Sequence, residues 1–313
     1  MSVVFIGWYN RGMAALIYDK SLSNKYQLKR LIVVVAVLAV VVLVGLWWAK
    51  VYESPSNVFW GMIENNLVTS GATTHVSESQ SGSSFNEYTQ FELGVHNIAY
   101  STVTLNEDGA EVRTETIGTL STDYTRYTAL SSKSKSVAYN RVIDVWAVGA
   151  STAKGQVTDP LYHLLGQSVL GVVPYANLIP DMRQSLVDEA KLLHVYSPDL
   201  AHVTHTRAYG HRVYVYTVDI SPRAYAAFMQ QVVRDEGLGS VSEFNPDSYQ
   251  ANSQPLVVQL SIDPISRELL AVNYGDGHIE TISGYGLRPT ITVPTHTISA
   301  TELQTRLENL SKQ

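Results

Sequence analysis

The chain has 313 residues, 45% of them hydrophobic and 16% charged, which is enough apolar material for a real core and unlike a collagen-like or globally disordered chain. Its 22 basic and 28 acidic residues give a net charge of -6, which argues against wrapping nucleic acid by phosphate neutralisation. With no cysteine there are no disulfides, thiolate metal sites, cysteine nucleophiles or Cys-linked lipids.

Residues 1–30 form a tail with Arg11, Lys20, Lys25, Lys29 and Arg30 against Asp19 alone, a net +4. The stretch 31–48 runs from Leu31 through Val40 to Trp47 and Trp48 without a charge. At 1.5 Å per residue it reaches about 27 Å, enough for a hydrocarbon core of roughly 30 Å with snorkelling flanks. A cleaved signal sequence has a shorter apolar region and ends in small residues, whereas Trp-Trp-Ala-Lys stands here, so the expectation is an uncleaved signal-anchor. The positive flank places the N-terminus in the cytoplasm, the two tryptophans at the far interface, and residues 49–313 outside. That outer part carries 17 basic and 27 acidic residues, net -10, and should repel anionic headgroups.

Ser54-Pro55-Ser56 opens a helix with Phe59, Met62, Ile63 and Leu67 on one face, ending near Gly71. From about 72 to 150 the texture predicts five or six antiparallel strands, divided at Gly82, at 94–97 and at Asn106-Glu107-Asp108-Gly109. Phe85, Thr89, Phe91, Leu93 and Val95 take odd positions against Asn86, Gln90 and Glu92, the period of a half-buried strand. Residues 131–136 read as an exposed loop. Asp159-Pro160 and Pro180-Asp181 open two helices, the second with Met182, Leu186, Ala190 and Leu193 aligned.

A hairpin follows, 201–208 and 212–220 around Tyr209-Gly210-His211, with the second strand central. Ser221-Pro222 starts the clearest amphipathic helix, whose face is Tyr225, Phe228, Met229, Val232 and Val233 and whose end is Gly237. A three-stranded meander runs from Leu256 to Tyr285, and Ser299 with Glu302 caps a terminal helix bearing Leu303, Leu307 and Leu310. Strand runs broken by helices predict an α+β fold. One extracytoplasmic domain over 49–313 is favoured, with a candidate sub-boundary at 151–158.

Little in the sequence carries chemistry. His194, His202, His205 and His211 cluster, but His202 and His205 differ by an odd number and cannot chelate from one regular strand, so no metal is expected. No P-loop, dinucleotide fingerprint, HExxH or GxSxG occurs, and the Gly275-Asp-Gly277 and Gly284-Tyr-Gly286 pairs read as turns. Asp144, Asp219 and Asp263 sit at strand ends, where turn and cap roles are usual. Neither an enzyme nor a cofactor is expected. The 19 tyrosines, Tyr209, Tyr214, Tyr216, Tyr225, Tyr274 and Tyr285 among them, read first as residues of half-exposed sheet faces, with the lining of a pocket for an amphiphile as the second reading.

The helix at 56–69, the long antiparallel sheet, the helical insertion, and a meander carrying Leu260-Ser-Ile-Asp263-Pro264 and Glu268-Leu-Leu-Ala-Val272 resemble the LolA-type lipoprotein-carrier superfamily, including its LppX/LprG-like lipid-binding members. The resemblance implies a curved half-barrel with helices on its concave face and an apolar cavity for acyl chains. The chain departs from that family in having an anchor and no Cys, which fits a fixed relay or sensor better than a shuttle. Under this reading Tyr225, Phe228, Met229 and Val232 form a wall or lid touching the ligand, and the partners are the lipid bilayer, a lipid ligand or an envelope protein. The alternative is a bitopic scaffold of a cell-envelope machine, similar in layout to VirB/TcpC-type conjugation components, acting through its surface. Cavity volume separates the two.

Overall fold

In a computed structural model of the protein the described residues are 33–45, 47–131, 139–149, 163–239, 244–250, 253–275 and 277–311. The expected tail, Leu31, the loop beyond Ser131, the 151–158 break and the Asp159-Pro160 helix start lie outside them. The chain divides into two compact units, Met1–Ser54 and Pro55–Gln313.

In the first unit, Val33–Tyr52 is one apolar helix (α1) of 20 residues with a mean hydropathy of 2.5, long and apolar enough to cross a membrane. Val40, Trp47 and Trp48 are exposed on it. Its last turn, Trp48–Tyr52, widens to a π-helix, and Trp48 stacks on Tyr52 at 4.2 Å.

The second unit is α+β, with a large, curved, open sheet that is antiparallel except at one end. Strands β1 (Gly71–Gln80), β2 (Ser83–Glu92), β3 (Ile98–Glu107), β4 (Ala110–Gly118) and β5 (Asp123–Leu130) form a meander. Asp108 and Gly109 join β3 to β4 with φ of 49° and 84°, as a two-residue hairpin demands. Beyond β5 lie β6 (Ala147–Val148) and, parallel to it, β13 (Ile298–Ser299).

The second half of the sheet comes from β7 (Tyr196–Pro198), β8 (Thr204–Ala208), β9 (His211–Ile220), β10 (Leu256–Ile262), β11 (Leu269–Gly275) and β12 (His278–Ser283). β9 is central as expected, with β10 along one edge and β8 then β7 along the other. β12 pairs with β1, which joins the two halves into one sheet.

Among the described residues the unit also has five α-helices: α2 (Pro55–Asn66), α3 (Leu164–Val169), α4 (Pro180–Leu192), α5 (Pro222–Asp235) and α6 (Ala300–Ser311). α2 buries Val58, Phe59, Met62 and Ile63, one apolar stripe, against α4 and β10. Its first residue is tied to the sheet by the Tyr216 hydroxyl, which donates to the Pro55 carbonyl at 2.9 Å. α5 starts at Pro222 and is followed by Gly237 at φ 73°, a left-handed stop that favours glycine. The main core gathers α2, α4, α5, the α3 segment and the inner faces of β9 to β11. A separate small core under α6 joins Leu303 and Leu310 to Val142 and Ala147, and the Ser299 hydroxyl caps α6 by accepting from the Glu302 amide at 3.1 Å.

Candidate functional site

The larger of two neighbouring cavities, about 560 Å³, lies between the α3 segment and one face of β1, β2, β11 and β12. Strand period and register build its wall in layers. Val76 on β1 is opposite Glu87 on β2 and Glu280 on β12, while Thr74 is opposite Thr89 and Ile282. Glu78 is opposite Phe85, and His278 follows on the β12 side. Glu87 stands in the odd series with the half-buried Phe85 and the buried Thr89 and Phe91, so the alternation that turns those residues inward carries a carboxylate onto the same face.

The polar groups of this wall are closely partnered. The His278 imidazole Nδ1 contacts the Glu78 carboxylate, and the Tyr274 ring lies edge-on to His278 at 4.9 Å. Tyr274 donates its hydroxyl to Glu280 Oε2 at 3.2 Å. The Thr89 hydroxyl donates to Ser101 Oγ at 2.9 Å, and Ser101 donates to Glu87 Oε1 at 3.2 Å. Burial pushes the Glu280 carboxyl above the usual carboxylate range; the Tyr274 hydrogen bond and His278 oppose this, and the charge of Glu87 adds to it.

The opposite wall is Leu164, Gln167 and Ser168 of α3 and the following Gly171, Val172, Val173 and Tyr175. α3 approaches the sheet at Gly118, where a Cβ would stand 2.6 Å from Leu164 Cβ and 2.9 Å from Asp123 Oδ1. Asp123 accepts from the Leu164 amide at 3.1 Å, fixing the first turn of α3. Behind Gly171 and Val172 is a second cavity of about 360 Å³, lined by Leu170, Ile220, Pro222, Tyr225, Tyr249 and Leu256, and it shares those two residues with the first. The shared backbone is held by two tyrosines: Tyr225 donates to the Gly171 carbonyl at 2.6 Å and Tyr196 to the Val172 carbonyl at 2.9 Å. Burial pushes both hydroxyls upward, so they remain protonated donors at neutral pH.

Of the residues expected from sequence to touch a ligand, Tyr225 lines the second cavity. Phe228, Met229 and Val232 are fully buried in the main core, with Phe228 edge-on to Tyr196 at 6.1 Å, and they line neither cavity. The clustered histidines have separate surroundings. His202 pairs with Asp199 at 2.8 Å, His205 stacks on Tyr214 at 4.0 Å, and His211 pairs with Asp263 at 2.7 Å. Asp263 also accepts from the Ile265 and Ser266 amides, the turn role its position suggested. Sequence reading passed over Glu78, Glu87, His278 and Glu280, and met Tyr274 only as one of the tyrosines suited to a sheet face or a pocket. The only local signal was the strand phase of each, which places 74, 76 and 78, or 278, 280 and 282, on one face. No protein-family model matches the chain, and comparison with curated proteins finds no significant match.

Proposed function

We propose that the protein is a single-pass, membrane-anchored binding module whose domain from Pro55 onward holds an amphiphile outside the cytoplasm. The observation that carries this reading is the pair of cavities, about 560 and 360 Å³, meeting at Gly171 and Val172. Both fall within the roughly 300–1,000 Å³ usual for small-molecule sites, one with polar and apolar walls and the other mostly apolar. In this reading the fold is a carrier-like half-barrel whose helices close its concave face over the ligand. The apolar helix Val33–Tyr52 is the anchor, and the +4 tail keeps the N-terminus in the cytoplasm.

Photo-crosslinking tests it. The full chain in phosphatidylcholine nanodiscs is irradiated with a diazirine-bearing single-chain amphiphile, and labelled peptides are mapped. Labelling within 164–175, β11 or β12 supports the module. Labelling confined to 33–52 would reduce the contact to ordinary bilayer lipid and leave the surface-acting scaffold as the better account.

A further inference from the structure

The two cavities differ in chemistry, and the difference sets the charge of what they hold. Among the described residues, every charged side chain lining the larger one is a glutamate, Glu78, Glu87 or Glu280, apart from the imidazole of His278, and no lysine or arginine lines it. His278 is already matched by Glu78. Glu87 and Glu280 receive hydrogen bonds from the hydroxyls of Ser101 and Tyr274, and neither forms an ion pair among the described residues. Both are opposite Val76, so their Cα atoms are separated by two strand spacings, about 10 Å. Two carboxylates facing one cavity, with hydroxyls as their hydrogen-bond donors and the Glu78-bound imidazole of His278 as the nearest cationic group among the described lining residues, leave an excess of negative charge there. The second cavity, lined by Leu170, Val172, Ile220, Pro222, Tyr225, Tyr249 and Leu256, offers among the described residues no ionisable group but the tyrosine hydroxyls.

We propose that the ligand is a single-chain amphiphilic amine. Its ammonium sits between Glu87 and Glu280, and its chain passes Gly171 and Val172 into the apolar cavity. This rests on the amphiphile-binding reading and narrows it to a cationic headgroup. An ammonium supplies the missing countercharge and up to three N–H donors, whereas a carboxylate or phosphate headgroup would bring a further negative charge into the same space.

The test uses three ligands with one chain and different headgroups: octylamine, octanol and octanoate. Each is titrated calorimetrically at neutral pH into the full chain in phosphatidylcholine nanodiscs, with empty nanodiscs subtracted. Octylamine is expected to bind at least about tenfold more tightly than the other two, the scale of one well-placed charge interaction. The Glu87→Gln, Glu280→Gln double variant is expected to lose the preference for octylamine over octanol. Equal or tighter binding of octanol or octanoate to the wild-type chain overturns the cationic headgroup and leaves the amphiphile reading standing. Binding of none of the three overturns both. Because the wild-type series decides these outcomes, the inference stays testable even where the double variant does not fold.

Discussion

Glu87 and Glu280 come from strands almost two hundred residues apart and face each other across Val76, each opposite it in register. Stability alone does not favour this arrangement. Like charges on one face repel, and the burial of Glu280 penalises its ionised form. A neutral residue at 280 would remove that penalty, so Glu280 marks a place where the fold carries a cost.

That cost has a pH signature. The Glu280 carboxyl is raised in the folded protein by burial and by Glu87, and is opposed by Tyr274 and His278, with the Glu78 carboxylate beside that imidazole. The folded state therefore holds this proton more tightly than the unfolded chain, and its contribution is complete below the ordinary carboxylate range. It is lost as pH rises through the raised value. Glu280→Gln in the ligand-free protein should raise Tm at neutral pH and flatten the fall in Tm between mildly acidic and neutral solution. A lower Tm at pH 7 would show that ionised Glu280 stabilises the fold.

Gly118 holds α3 against the sheet, since an added Cβ would meet Leu164 Cβ at 2.6 Å and the Leu165 amide nitrogen at 3.0 Å. Gly118→Ala should destabilise by about 1–3 kcal/mol in urea unfolding, the scale of overpacking. Because α3 carries Leu164, Gln167 and Ser168 into the cavity wall, octylamine binding should weaken too. An unchanged midpoint would mean that α3 shifts freely.

Phe228 and Tyr225 lie on one helix and should respond differently. Phe228 has no solvent exposure and packs in the main core, so Phe228→Ala should cost about 3–5 kcal/mol. Tyr225→Phe removes only the hydroxyl that binds the Gly171 carbonyl and should cost about 1–3 kcal/mol. It should also loosen the backbone between the cavities, which hydrogen exchange at residues 171–173 would report. Protection there equal to wild type would remove Tyr225 from any role in holding the site.

The orientation is tested by protease treatment of intact cells. The domain from Pro55 onward should be degraded and residues 1–30 protected, as the +4 flank requires. A protected domain in cells with an accessible surface would reverse the topology.

Most elements were legible because their signals are local. Period 3.6 marked the Phe228, Met229, Val232 and Val233 stripe, and all four are buried. The Tyr209-Gly210 turn was visible in the same way, with both residues at positive φ. Ser299 before Glu302 announced the terminal helix cap. The candidate site was largely illegible. Tyr225, Phe228, Met229 and Val232 were expected to reach ligand, but a stripe records only that a helix face is apolar, and Phe228, Met229 and Val232 pack against core side chains.

The sequence by itself determined the apolar segment with its charged flank, the α+β alternation, the hairpin turns and the apolar face of each helix. These depend on residues within a few positions of one another, where propensity and periodicity act. Only the tertiary structure decided that β12 lies beside β1, and with it that Glu280 and His278 join Glu78 and Glu87 around one cavity. Strand pairing between residues 71–80 and 278–283 depends on which faces are buried together once the whole sheet forms. The phase of each strand is written locally, but the choice of neighbour belongs to the fold as a whole.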